Sequence, residues 1–418
     1  MSPGVLPEEL IIEVLSILPV KSILRFKCVC KPWESLISDP FFVQKHLHLS
    51  QKSNTHLALI LCKPHVKTVC FFNDRDCYYY DRDSCVVPFS LNTLLLNPSI
   101  TITILPQHRL RYKRCFRVIG SINGLLCLFN SRISLDGSDD RNTYFRFWNP
   151  ATKKISQKLG SITHPNSHPY FGPDNKSNYL RFAFGYDNSS DTYKVVAFCP
   201  NEVRIFSFGD NVWKNIQRFP VVPYFRVALV RHKEQRLNEG VYLSGTVNSL
   251  AIPNFKYFWM EYEYKDFPAI DQFVIISLDL GTETYNQLLL PRDLVEVPTI
   301  LPTISVLRDC LCFSYHIKTT HFAIWMMMDF GVQESWTQFL NISYAVQIDY
   351  ESPRFRYDHL LYPLCLSEDD DTIILASSHE EQAFLYNWRD NRVEKTRITN
   401  HVLWMFSPNY IESLVSTC

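Results

Sequence analysis

Six times between residues 95 and 388 the chain runs through an apolar stretch, a short polar turn and a second apolar stretch, which confines most of it to repeated β units. Two copies are explicit: Leu95-Leu96-Asn97-Pro98-Ser99-Ile100-Thr101 and Phe147-Trp148-Asn149-Pro150-Ala151-Thr152-Lys153. Weaker ones lie at Phe208-Gly209-Asp210-Asn211, Leu278-Asp279-Leu280-Gly281, Met328-Asp329-Phe330-Gly331 and Tyr386-Asn387-Trp388. Along Asn97, Asn149, Asp210, Asp279, Asp329 and Asn387 the intervals are 52, 61, 69, 50 and 58 residues. Each copy reads as strand, tight turn, strand, because Asn, Asp, Gly and Pro punctuate runs of Val, Ile, Leu, Phe and Tyr. Between copies lie buried-looking runs at Gly124–Leu128, Val195–Phe198, Cys310–Phe313 and Thr372–Leu375. An interval near the length of one four-stranded blade predicts an all-β domain folded as a β-propeller of six to seven blades. Radial closure would also remove exposed strand edges. The uneven intervals leave packed β-sandwiches as the alternative.

The N-terminal stretch obeys a helical period instead. Pro7 suits a first helical position, and Glu8 and Glu9 follow where the helix dipole favours anions. Leu10, Ile11, Val14, Leu15 and Leu18 recur at helical spacing as one stripe. Pro19 stops that helix and can open the next, whose apolar residues are Ile23, Leu24, Phe26, Cys28 and Val29 and whose basic ones are Lys21, Arg25, Lys27 and Lys31. Pro32 is expected to end it, since the residue before a proline is pushed from helical angles. Trp33, Leu36 and Ile37 fit a third helix, and Phe41 and Phe42 begin a fourth. A segment this small has too little interior for so many apolar side chains. The surplus points to a docking module for a partner protein; the alternative is a helical cap on the domain that follows.

This cassette closely resembles the F-box of plant F-box proteins. The matching pieces are Leu6-Pro7-Glu8-Glu9, Leu18-Pro19-Val20-Lys21-Ser22, Leu24 through Lys31, and Trp33 with Leu36-Ile37-Ser38. F-boxes bind the Skp adaptor of SCF-type ubiquitin ligases. The resemblance therefore implies that Leu6, Pro7, Ile12, Leu15, Leu18, Pro19, Val20, Leu24, Val29 and Trp33 pack on that adaptor or support the surface that does. Pro32 stands where related sequences usually carry serine; placed between helices, it should be tolerated. Phe182-Ala183-Phe184-Gly185-Tyr186-Asp187 with Tyr193-Lys194-Val195-Val196 looks like the plant F-box-associated, kelch-like domain. So do Asn123 through Cys127, Trp148 through Thr152 and Ile324 through Met328. Gly331 through Trp336 and the tail Tyr410 through Val415 are similar to that group too, pollen S-locus F-box proteins included. The paired glycines of strict kelch repeats are absent, with only 12 glycines in all. The domains expected are an F-box over 1–48, a linker over 49–56 and the β domain over 57–418.

Composition excludes several classes. Of 418 residues, 46% are hydrophobic and 14% aromatic, enough for a sizeable core. Lys plus Arg equals Asp plus Glu at 42 each, which argues against nucleic acid or a membrane as the general partner. The basic run Arg109 through Arg114 reads as a solvated strand edge, and Glu368 through Asp371 as an acidic turn. Thirteen cysteines occur without a Cys-x-x-Cys pair, the pattern of reduced, buried thiols in cytoplasm or nucleus. Cys28/Cys30 and Cys310/Cys312 alternate by two, which suits a strand face in a core better than a metal clip. No secretory signal and no membrane-spanning run is visible. There is no phosphate loop, nucleophile elbow or His-Glu-x-x-His helix. His164 and His168 are read as lying in a polar surface loop over 161–178. No catalytic residue, metal or cofactor is expected.

The function expected is substrate recognition for an SCF-type ubiquitin ligase, without catalysis. The F-box would hold the Skp-family adaptor, and through it cullin and RING subunits, while the β domain holds a client protein. The longest interval contains Asn254 through Pro268, dense in aromatics with interleaved charge, a composition seen at binding hot spots. Tyr257, Trp259 and Tyr262 are its client-facing candidates, against the plainer reading that they pack on a neighbouring blade. An F-box scaffold that delivers no client, and a propeller enzyme or lectin, are the alternatives.

Overall fold

The computed structural model describes residues 7–53, 56–62, 68–72, 75–79, 84–99, 110–112, 117–133, 140–165, 180–199, 202–221, 226–230, 233–237, 240–252, 269–292, 302–318, 320–343, 361–367, 371–377, 382–398, 401–402 and 407–417, with positions 294, 369 and 404. Four helices come first: α1 (Glu8–Ser16), α2 (Val20–Phe26), α3 (Lys31–Ser38) and α4 (Pro40–Ser53). The prolines set their starts. The carbonyls of Pro7 and Pro19 accept the first helical bonds, from Leu10 and Ile11 and from Ser22 and Ile23. Asp39 Oδ1 then caps α4 by accepting from the Phe41 and Phe42 amides at 2.9 and 3.3 Å.

Two expectations fail here. Helix α2 stops at Phe26, well before Pro32, and Pro32 lies inside the first turn of α3 rather than between helices. The first turn needs no amide donor, so a proline there costs nothing. Helix α4 continues to Ser53, so helix occupies most of the stretch predicted as a linker over 49–56. Cys28 and Cys30 lie at the α2–α3 turn, not in a strand, and both are exposed.

The β domain is a six-blade propeller. Five blades are four-stranded meanders, with a short fifth strand, Lys154–Ile155, added to the second. Blade 2 comprises Arg117–Ile122, Leu125–Ile133, Asp140–Asn149 and Leu159–Pro165. Blade 3 comprises Arg181–Asp187, Thr192–Cys199, Glu202–Ser207 and Val212–Ile216. Blade 4 comprises Val241–Leu243, Thr246–Ala251, Val274–Asp279 and Tyr285–Leu289. Blade 5 comprises Thr303–Leu307, Cys310–Ile317, His321–Met327 and Trp336–Ser343. Blade 6 comprises Leu361–Leu366, Thr372–Ser377, Ala383–Asn387 and Arg392–Lys395. Blade 1 closes the ring. Its strands His56–Cys62, Ser84–Ser90 and Leu110–Tyr112 come from the N-terminal side, and its inner strands His401–Val402 and Asn409–Tyr410 from the C-terminus. Leu61 pairs with Val402 and His56 with Tyr410. Leu110–Tyr112 is the outer edge, as the basic run predicts.

Each junction between neighbouring blades carries its own apolar cluster. Phe145 and Phe182 join blades 2 and 3; Val196 and Leu278 join 3 and 4; Trp404 and Leu364 join 1 and 6. The second strands are therefore squeezed from both faces, and Thr246–Ala251 is buried throughout. That is why they read as unbroken apolar runs. The Asn/Asp repeat also has a cause. In blades 2 to 6 those residues lie where the third strand turns into the fourth, and Asn149, Asp279 and Asn387 each accept two backbone amides just ahead. Asn97 is the exception: it follows a short helix, α5 (Leu91–Leu96), and does not sit in a hairpin. His164 is likewise misread, since it lies in the outer strand of blade 2, buried, with Nε2 3.0 Å from Thr143 Oγ1. His168 is outside the described residues. No helix among the described residues is long and apolar enough to cross a membrane.

Candidate functional site

The helical module keeps a small interior of Leu15, Ile23, Ile37 and Phe42, flanked by Ile11, Ile12, Leu18, Phe26, Trp33 and Leu36. Phe26 meets Trp33 edge to face at 5.3 Å. Lys45 of α4 pairs with Glu13 of α1. His46 donates from Nε2 to the Leu18 carbonyl at 3.0 Å, holding the end of α1 on α4.

That interior takes only part of the apolar stripe. Leu10, Val14 and Ile17 follow one another at i, i+4 and i+7 and are 51%, 58% and 70% exposed. Val29 and Phe41 are exposed as well, at 64% and 71%. The ten residues assigned to adaptor binding separate accordingly. Leu15 and Val20 are interior; Ile12, Leu18, Leu24 and Trp33 are half-buried; Pro7, Pro19 and Val29 are exposed; Leu6 lies outside the described residues. Leu10, Val14, Ile17 and Phe41 are missing from that set. The i, i+4, i+7 spacing was the available signal, but telling the outer stripe from the inner one needs the positions of α3 and α4.

Leu24 and Val29 face elsewhere. They line a cleft of about 1170 Å³ between the helices and the propeller, opposite Tyr186, Tyr193 and Phe208. The helical module thus lies at the end of the propeller that carries its first-to-second and third-to-fourth strand turns. Connections from second to third strands leave from the other end. One of them runs from Ile252 to Ala269 and contains Tyr257, Trp259 and Tyr262, which lie outside the described residues.

The Phe182–Asp187 and Tyr193–Val196 motifs are paired strands of blade 3: Phe182, Phe184, Tyr193 and Val195 pack toward blade 2, while Ala183, Val196 and the Asp187–Lys194 pair face blade 4. Asp187, buried, accepts from Ser189 and Ser190 and pairs with the buried Lys194, Nζ to Oδ2 2.9 Å. Lys194 also donates to the Leu280 carbonyl of blade 4 at 2.6 Å. Burial alone would raise the Asp187 carboxyl; the bonds from Ser189, Ser190 and Lys194 outweigh it and hold it well below the ordinary carboxylate range. Gly185 lets the blades approach, because a Cβ there would lie 2.2 Å from Leu280 Cδ1.

Two histidines, the buried His46 and the half-buried His56, flank the joint between the parts. Burial lowers both His46 and His56, while Glu412 pulls each back up, and the Leu18 carbonyl also pulls His46 back. The unfolded chain therefore takes up protons at a higher pH than the folded one. Their stabilising contribution is complete above the ordinary value of 6.5 and is lost as pH falls below it. Melting temperature should drop between pH 7 and 5.5, and His46→Gln should flatten that slope in a thermal-shift titration.

A compact helical module with an exposed apolar stripe is seated on a closed six-blade propeller. Residues 80–417 match the model of the F-box-associated β-propeller domain, and residues 5–45 match that of the F-box domain. The chain belongs to the F-box proteins that carry this propeller. An F-box/kelch-repeat protein of Arabidopsis thaliana is 28% identical over 347 residues, covering 82% of this chain and 80% of that protein. The F-box protein CPR1 of the same plant is 24% identical over 430 residues, covering 99% of this chain and 89% of that protein.

Proposed function

We propose that this chain is the substrate-recognition subunit of an SCF-type ubiquitin ligase. The observation that carries the reading is the stripe Leu10, Val14 and Ile17, which the chain's own propeller leaves uncovered. A Skp-family adaptor completes that face and links the chain to cullin and RING subunits. Pro7 and Pro19 flank α1 and lie at the rim of the same surface. Leu15, Val20, Ile12, Leu18 and Trp33 support it from within, whereas Leu24 and Val29 line the cleft toward the propeller. The chain makes no bond itself. It raises the effective concentration of a client near the recruited conjugating enzyme, and it works in the cytoplasm or nucleus.

The client is held by the β domain, with Tyr257, Trp259 and Tyr262 of the aromatic-rich stretch between Ile252 and Ala269 as its candidate contacts. The test is affinity purification of the full chain with mass spectrometry. Adaptor and cullin should copurify, and replacing the three aromatics by Ala should remove a client while keeping the adaptor. A chain that recovers no Skp protein would sink the ligase reading.

A further inference from the structure

The C-terminal tail does more than close the ring. Past Tyr410, the last residue of blade 1's inner strand, it leaves the sheet and crosses to the helices. Asn149, fully buried in blade 2, donates from Nδ2 to the Ser413 and Val415 carbonyls at 3.0 and 2.8 Å. Ser413 donates to the Asn123 carbonyl at 2.8 Å. Gly124 gives the tail its bed: at φ +79°, a Cβ there would lie 2.1 Å from Ser413 Oγ and 2.7 Å from the Ile411 carbonyl. Leu414 then packs against the F-box interior of Leu15, Ile23, Ile37 and Phe42. Val415 and Ser416 wall the cleft, and Thr417 is buried.

We infer that Ile411–Thr417 is a strut that sets the direction in which the propeller hangs from the F-box, with Asn149 and Leu414 as its positioning residues. One end is anchored to the second blade by side-chain-to-backbone hydrogen bonds of Asn149 and Ser413, the other by an apolar side chain in the helical module. The covalent path from α4 into blade 1 is a single chain crossing, and the strut adds a second, non-covalent connection. Its consequence for ubiquitin transfer, which rests on the ligase reading, is orientation. A fixed angle selects which lysines of a held client come within reach.

The strut is tested on the full chain without adaptor, by distance measurement between spin labels carried on unnatural amino acids at positions 9 and 286. The wild type should give one narrow distribution. Leu414→Asp and a chain ending at Ser413 should each lose it and give a broad one, while the propeller keeps its cooperative melt, since Tyr410 still pairs with His56. A narrow, unmoved distribution in both variants would overturn the strut. So would loss of the propeller's melt in both, because the tail would then be core of the β domain. With adaptor added, both variants should bind within about twofold of wild type and shift the pattern of modified client lysines. If the wild type binds no Skp protein, the ligase reading fails and the distance result still decides the strut.

Discussion

The triple change Leu10→Asp, Val14→Lys, Ile17→Lys is expected to weaken binding to a Skp-family adaptor by roughly 100-fold, about 2.7 kcal/mol, leaving the melting temperature of the free chain almost unmoved. All three side chains are more than half exposed in the chain alone, so the fold loses little by their removal. The charges suit the helix dipole, an anion near the start of α1 and cations near its end, so the helix itself is not weakened. In the complex each would be desolvated against an apolar surface without a partner. Leu15→Ala is the contrast. That side chain is 3% exposed, and its loss should cost about 2–5 kcal/mol of F-box stability, with binding falling only as the module unfolds. Isothermal titration and differential scanning calorimetry separate the two. Binding retained within about threefold by the triple variant would mean that the adaptor meets another face.

The second large effect is expected at the blade 3–4 junction. Asp187→Asn leaves the buried Lys194 ammonium without its close carboxylate, with Glu283 at 3.9 Å as the nearest replacement. Removing one partner of a buried pair typically costs about 3–5 kcal/mol, and the lower end applies because Glu283 is within reach. Adding Lys194→Met should recover most of the loss, because no buried charge then remains. The acid side supplies an independent check. Since the folded Asp187 carboxyl lies below the ordinary 3.8, its contribution is complete above that pH and is lost as pH falls beneath it. Wild type and Asp187→Asn should therefore differ at pH 7 and converge in strong acid, as followed by urea unfolding. A constant gap across that range would mean that the pair contributes by packing alone.

Much of this arrangement is legible before any coordinates. The Asn/Asp turns mark the third-to-fourth strand hairpins of five blades, and at Asn149, Asp279 and Asn387 the Asx side chain is the local device that caps the turn. The continuous apolar runs mark the second strands, because a strand pressed between two blades has no solvent face on which to alternate. The exceptions share one cause. Asn97, Pro32 and His164 belong to local patterns compatible with more than one conformation, and neighbours distant in sequence chose between them. His164 is held in a strand by Thr143, and Pro32 fits the first turn of a helix as readily as the end of one.

Local periodicity and turn chemistry, which act over a handful of residues, were enough to establish a helical module with surplus apolar surface and a ring of β repeats behind it. Blade number, the division of one helical stripe into a buried row and a bare row, and the crossing of the tail from Asn149 to the F-box interior were settled by contacts between segments far apart in the chain. Tyr410 reaching His56, Lys194 reaching Leu280 and Leu414 reaching Phe42 each depend on where the closed ring places its ends, a quantity that no short window of residues encodes.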